Sequence, residues 1–337
     1  MFTPFQNEPY VNFADETPRR KMEEALARVE KELGKTYPLV IGGKRIDTEH
    51  RTESRNPANW SQVIGHVAEA TPDDAELALK AAWQAFPEWS RTPVEARARI
   101  LVKAAAIMRR RIYEFSAWMV LEASKNWNEA YADAAEAVDF LEFYAREAIR
   151  HTQGHPTTPS PGEENEVRYL PLGAGVSISP WNFPLAICCG MAAAAVVTGN
   201  TLVMKPAEQT PVVAYKFFEL MELASLPAGV LNFLPGMGEV VGEVLTGHPQ
   251  TRFVNFTGSK DVGLHIYQRI SHTPPGQKWL KRAILEMGGK DGIIVDDGAN
   301  LDGAAEGIVA AAFGLSLIHI SEPTRLRRIS YAVFCLK

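Results

Sequence analysis

Hydrophobic residues recur with helical spacing near the start of the chain. Met22, Leu26, Val29 and Leu33 stand four, three and four positions apart, and polar residues fill the opposite face. That spacing predicts an amphipathic helix. The apolar run 39–41 and the pair Arg45, Ile46 flank Gly42 and Gly43, two residues that adopt positive φ without penalty, so a tight hairpin is expected. Two helix starts follow. Thr71 with Pro72 is one, and Thr92, Pro93 and Glu95 have the spacing of a capping box with proline at the first helical position. From 96 to 151 the pattern stays helical through alanine-rich stretches. The polar stretch 155–165, containing Pro and Gly, then breaks it, and reads as a surface excursion leading into a hairpin built from 166–170.

After Gly173 short apolar runs alternate with helical segments. Strands are expected at 176–179, 201–204, 230–234, 253–256, 282–286 and 292–295, and helices at 185–197, 211–224, 239–246 and 260–270. Such alternation implies βαβ units with right-handed crossovers and a parallel sheet. The expected class is α/β, a doubly wound Rossmann-type fold.

Composition narrows the function classes. A chain of 337 residues, 46% hydrophobic and 22% charged, has room for two domains or one large α/β unit. The formal charge of -5 comes from 40 acidic and 35 basic residues with no basic block, so nucleic acid is not an expected partner. The first ten residues lack a basic segment followed by an apolar run, and the apolar helix 185–197 is too short to span a bilayer, so no membrane partner is expected either. Three cysteines, two of them the adjacent Cys188 and Cys189, make no disulfide framework, which points to a reducing, cytoplasmic setting. Both read as small core residues. The eight histidines show no ligand spacing, so no metal site is expected.

In doubly wound sheets, ligands bind beyond the carboxyl ends of the strands, and four loops there carry candidate chemistry. The first, 180–184, presents Trp181, Asn182 and Phe183 between two prolines. An Asn amide fixed there could donate to a developing oxyanion, although the same residues also make a plain proline-bounded turn. In the second, Lys205 and Glu208 stand three apart at a strand end. They could hold the two hydroxyls of one ribose, with the carboxylate repelling a 2'-phosphate and so favouring NAD over NADP, or they could be a solvated ion pair. In the third, Thr257, Gly258 and Ser259 open a helix whose free N–H groups suit a pyrophosphate. The fourth, Glu286 to Gly288 and on to Lys290, offers a carboxylate that could act as general base if partly desolvated, or a solvated turn. Gly236 and Gly238 form only Gly-x-Gly, and Gly242 falls one place past the third position of the usual dinucleotide fingerprint, which is therefore absent.

These four loops, in this order and at these separations, resemble the aldehyde dehydrogenase superfamily, from about Asn7 to Gly314. The resemblance implies NAD as cofactor, a small-molecule aldehyde as substrate, and hydride transfer from a thiohemiacetal. It implies Asn182 as oxyanion donor and Glu286 as the base that activates water. Lys205 and Glu208 would hold the adenosine ribose and Ser259 the pyrophosphate, with Ser179, Trp181, Gly238, Thr257, Gly258 and Gly288 also lining the cofactor. Within the superfamily, the Asn-Glu-Pro start, residues 37–43, 108–111, 126–129, 134–140, and 274–277 before Lys281 and Arg282, are similar to the pyrroline-5-carboxylate dehydrogenase branch. That branch implies glutamate semialdehyde, formed by hydrolysis of pyrroline-5-carboxylate, as substrate and glutamate as product, with Glu136 and Phe183 near the substrate pocket. Glu136 also reads as an ordinary helix-surface acid.

The resemblance divides the chain into an N-terminal helical part of the NAD-binding domain (1–150), an oligomerisation hairpin (151–172), a Rossmann-type core (173–285) and the start of a catalytic domain (286–314). A full-length enzyme of this kind is expected to be a homo-oligomer. The branch places its nucleophilic cysteine 34 residues after the base, at position 320, where this chain has Ile320. Residues 315–337 resemble translated adapter DNA rather than the family, and Cys335 stands in a different surrounding and 15 residues too late. Without the thiol no thiohemiacetal forms, so the chain itself is expected to lack dehydrogenase activity and to expose apolar surface and strand edges that invite aggregation. Another semialdehyde dehydrogenase, or a non-catalytic NAD-binding remnant, are the alternative readings.

Overall fold

The computed structural model describes residues 2–289 and 292–313. Two compact units divide after Glu286. The first opens with α1 (Glu16–Glu30), which buries Met22, Ala25 and Val29 as the periodicity requires. Three short strands follow, β1 (Lys35–Tyr37), β2 (Leu39–Ile41) and β3 (Lys44–Ile46). The expected hairpin forms: β2 and β3 pair antiparallel, with Gly42 at φ 60° and Gly43 at φ 78° in its two-residue turn.

Two strands with no forecast come next, β4 (Arg51–Asn56) and β5 (Asn59–Ala68), so the region 1–150 is not purely helical. With β1 they form a three-stranded sheet in the order β1-β5-β4. α2 (Pro72–Trp89) starts on a full capping box, in which Thr71 and Asp74 satisfy each other's backbone N–H groups. The capping box expected at Thr92 is not made. α3 (Val94–Arg110) begins after Pro93 without a side-chain cap, and the Thr92 hydroxyl instead donates to the Glu88 carbonyl at 3.1 Å, finishing α2. α4 (Ile112–Ala123) and α5 (Trp127–Thr152) complete the helical layer.

Residues 153–173 contain no strand, so the hairpin expected at 166–170 does not form in the single chain. An isolated two-stranded hairpin is marginal without a sheet to extend. The alternating region then appears much as expected: β6 (Ala174–Ile178), α6 (Ala186–Val197), β7 (Thr201–Lys205), α7 (Pro211–Leu223) and β8 (Leu231–Phe233). Where one helix was expected at 239–246, a single π turn over Gly238–Gly242 leads into α8 (Glu243–Gly247). β9 (Phe253–Gly258), α9 (Lys260–Ser271) and β10 (Arg282–Met287) follow.

The main sheet has seven strands in the order β10-β9-β6-β7-β8-β2-β3. β6, β7, β8 and β9 run parallel, and β2 joins β8 antiparallel. Both faces are covered, which is why the central strands are apolar throughout. Leu202 and Met204 face a large core shared with α3 to α7, whereas Val203, Ala174 and Val176 face a smaller one with α2 and α8.

The second unit contributes α10 (Leu301–Phe313). The strand expected at 292–295 is absent: these residues carry no regular structure, and Ile293 and Ile294 are exposed. The expected tail 315–337, with Ile320 and Cys335, lies outside the described residues. Among the described residues no helix is long and apolar enough to cross a membrane.

Candidate functional site

The chain winds from β6 outward through β7 to β8, then returns to lay β9 on the other side of β6. Strand order therefore reverses between β6 and β9, and a crevice opens where the loops after these two strands diverge. The loop after β6 carries Asn182 and the loop after β9 carries Ser259. The order of the sheet thus brings to one edge three of the four loops singled out in the sequence, those after β6, β7 and β9.

After β7, Lys205 is almost wholly buried at 2% exposure. Its ammonium donates to Glu208 Oε1 at 2.7 Å and to the Pro206 carbonyl at 3.2 Å. The lysine end of the pair is therefore out of solvent. Glu208 keeps 28% of its side chain open and also accepts the Gly238 N–H at 2.9 Å on the same oxygen. The described residues take two of the ammonium's three protons, and Oε2 of Glu208 stays outside this network. A lysine and a carboxylate fixed side by side at a strand end present one donor and one acceptor, as two adjacent hydroxyls of a sugar require. Gly238 steadies the pair through its backbone N–H.

Ser259 caps α9, its Oγ accepting the Val262 N–H at 3.4 Å, so the hydroxyl holds the helix start that was expected to bind an anion. The exposed first turn of this 12-residue helix adds the positive end of its dipole. Thr257 is half-buried with its hydroxyl 3.9 Å from Met191 Sδ. Gly258 follows on the same strand end.

The loop after β6 is tied down at both ends. Ser179, buried, donates its N–H to the Lys205 carbonyl at 3.3 Å. At the far end the Ala186 N–H donates to Asp133 Oδ1 at 2.6 Å, and Asp133 Oδ2 accepts from Lys125 Nζ at 2.7 Å. The Lys125 ammonium stands 4.0 Å from the centre of the Phe183 ring, within cation–π range. Asn182 is buried, while Trp181 and Phe183 are half-buried. Burial raises the Asp133 carboxyl pKa, with the Lys125 charge opposing. Glu136, one turn along α5, is half-buried, and its carboxyl is also raised, by burial and then by Asp133. Nothing in the sequence linked Lys125 and Asp133 to this loop. Lys125 is buried directly after Ser124, which ends α4 in the left-handed conformation, φ 52°, a feature that periodicity does not show.

Glu286 ends the first unit on β10 and is exposed, so the partial desolvation that a general base needs is not supplied by the described residues. Gly288 is exposed in the second unit. Neither described thiol replaces a nucleophile: Cys188 and Cys189 are fully buried on α6, and burial pushes the Cys188 thiol up to about 12 and Cys189 well above its ordinary range. Among the described residues no cluster of three or more His, Cys, Asp or Glu could hold a metal.

A doubly wound sheet with parallel central strands, and with a Lys–Glu pair, a capped helix start and a buried Asn in the loops at its strand ends, defines an α/β protein. Comparison with known proteins narrows that class. The profile of the aldehyde dehydrogenase family matches residues 45–316, and the chain belongs to this family. It is 57% identical over 316 residues to the 1-pyrroline-5-carboxylate dehydrogenase of Geobacillus sp. (strain WCH70), covering 94% of this chain and 61% of that relative. Among solved structures it is similar to the 1-pyrroline-5-carboxylate dehydrogenase from Thermus with bound NAD, at 54% identity and a TM-score of 0.90 over 93% of this chain and 61% of that one. Proline utilization A from Bdellovibrio bacteriovorus shares 43% identity with a TM-score of 0.89, over 92% of this chain and 32% of that one. The chain thus spans about three-fifths of the length of the curated relatives it matches.

Proposed function

We propose that this chain is the NAD-holding part of an enzyme that oxidises L-glutamate γ-semialdehyde, the hydrolysis product of 1-pyrroline-5-carboxylate, to L-glutamate, working as a homo-oligomer in a reducing cytoplasm. The observation that carries the proposal is the buried Lys205 paired with the half-open Glu208 at the end of β7. Likeness above one-half to relatives named for this activity supports the substrate assignment.

In this reading, Lys205 and Glu208 hold the two hydroxyls of the adenosine ribose, and the Glu208 carboxylate repels a 2'-phosphate, selecting NAD over NADP. The start of α9 at Ser259, with Thr257 and Gly258, neutralises the pyrophosphate through backbone N–H groups and the helix dipole. Ser179, Trp181 and Gly238 complete the cofactor surface of the first unit. A bound NAD would supply the hydride acceptor. The chain's own part at the reacting carbon is Asn182, whose amide donates to the oxygen as negative charge develops there. Glu286 takes a proton from the hydrolytic water once covered, while Glu136 and Phe183 line the aldehyde pocket.

The chain with Ile320 in the nucleophile position binds the cofactor without turning over the aldehyde, since its described thiols are buried and protonated. The test is titration with NADH, followed by its fluorescence, alongside an assay with pyrroline-5-carboxylate and NAD. Binding at micromolar levels that is lost in Lys205→Ala, with no NADH produced in the assay, is the expected result. No binding by the unaltered chain would sink the cofactor assignment, and turnover would sink the claim of inactivity.

A further inference from the structure

α6 is an apolar helix, Ala-Ile-Cys-Cys-Gly-Met-Ala-Ala-Ala-Ala-Val-Val, without a cap of its own. Leu185 occupies its N-cap position and makes no side-chain hydrogen bond, so the first N–H groups need partners from elsewhere. Asp133 supplies one from the second turn of α5, 53 positions earlier in the chain. A serine or aspartate at position 185 would have satisfied the helix locally. The exported cap does something a local one cannot: it fixes the loop 180–186 against α5, the helix that carries Glu136 one turn beyond Asp133.

The charge on this cap is costly, because a buried ion pair gives little net stability over an apolar pair of similar volume. What such a pair provides is a single geometry. Lys125 adds a second restraint, since the ammonium held at 2.7 Å from Asp133 also stands over the face of Phe183 at 4.0 Å. Two side chains, Lys125 from the turn after α4 and Asp133 from α5, therefore converge on a loop that contains Pro180 and Pro184, with Asn182 midway between them.

We infer that Lys125 and Asp133 are positioning residues that clamp the loop 180–186 and so set where Asn182 and Phe183 stand relative to Glu136 and to the end of β6. The inference rests on the cofactor and substrate reading proposed above and names residues that nothing in that reading includes. Neither side chain touches a reacting atom. Each acts through the Ala186 amide or the Phe183 ring.

The test uses the full chain with Lys125→Met and Asp133→Asn, the conservative Lys125→Arg, and Trp89→Phe as a control. Trp89 Nε1 donates to the Val196 carbonyl at 2.9 Å and so satisfies the opposite end of the same helix. Two readouts are taken: amide hydrogen exchange of a peptide covering 180–190, and the Kd for NADH. Lys125→Met and Asp133→Asn are expected to speed exchange in that peptide and to weaken NADH binding, each about tenfold, a change of one decade in an equilibrium constant. Lys125→Arg should recover most of both. Trp89→Phe should lower the Tm comparably yet leave the Kd within about twofold. Unchanged exchange in both clamp variants overturns the inference, as does a control that weakens NADH as much as they do. If the unaltered chain binds no NADH, the cofactor reading falls, while the exchange data still decide whether the clamp exists.

Discussion

Glu122 lies wholly inside the protein on α4. Its Oε1 accepts from Ser54 Oγ at 2.6 Å and from the Val212 N–H at 2.9 Å, and its Oε2 accepts from the Val213 N–H at 2.7 Å. α7 starts at Pro211 with no side-chain cap at Thr210, so a carboxylate 90 positions away in the chain satisfies its first turn. Burial nevertheless outweighs these three bonds and lifts the Glu122 pKa from 4.5 to about 7. Between those values the native state holds a proton that the unfolded chain has released. The stability this group contributes is therefore complete below the unfolded value and is lost as pH rises through the folded one, by about 1.4 kcal/mol per unit and about 3 kcal/mol in all. The carboxyl proton has a place to sit, because the Ser54 hydroxyl can turn from donor to acceptor. Glu122→Gln removes the ionisation and turns an amide N–H toward a backbone donor, which costs about 1–3 kcal/mol near neutrality. In urea titrations at about pH 5 and pH 8, the unaltered chain should lose more stability on going to the higher pH than Glu122→Gln does, by roughly the amount above. Equal losses in the two proteins would show that Glu122 does not titrate in this window.

At the scale of the element, β6 shows how closely the central sheet is packed. A Cβ placed on Gly175 would stand 2.1 Å from the Phe253 ring of the neighbouring β9, closer than real Cβ atoms approach anything. Gly175→Ala is expected to destabilise the chain by about 2–3 kcal/mol through overpacking. Adding Phe253→Ala should make the pair less damaging than the sum of the two single changes, and strict additivity would show that the ring is not the obstacle. β6 itself was legible in the sequence, as were β7, β8, β9, α6, α7 and α9, because a buried strand or amphipathic helix writes its period into neighbouring residues. β4 was not legible. Arg-Thr-Glu-Ser-Arg-Asn has no apolar alternation, and β5 holds it in place through cross-strand pairing. The residues 292–295 failed in the opposite sense, an apolar run that carries no regular structure. The position of Asn182, Lys205, Glu208 and Ser259 in loops at the carboxyl ends of β6, β7 and β9 was also legible, since it follows from where the local strand pattern stops. The buried acids Asp133 and Glu122 gave no signal, because each caps a helix far along the chain and only the packed structure brings donor and acceptor together.

For the molecule as a whole, the two edges of the seven-stranded sheet are managed differently. One edge is β3, three residues long with Lys44 and Arg45 exposed, and a short, charged strand discourages further pairing. The other is β10, six residues long, whose alternate side chains from Arg282 to Glu286 are exposed. Ile284 stands in the middle of that row at 62% exposure, and Leu280 precedes the strand at 79%. A longer edge with an apolar centre is a template for pairing with another copy of itself, and the net charge of -5 on 337 residues opposes such contact only weakly. Light scattering on the purified chain should therefore show concentration-dependent association above the 37.2 kDa of one copy. Ile284→Lys places a cation at the centre of the open edge without removing any buried contact, and should return the population toward one copy at unchanged Tm. If association persists undiminished in that variant, β10 is not the adhesive edge. The exposed Tyr169 and Leu170 of the strandless segment 153–173 would then be the next surface to charge.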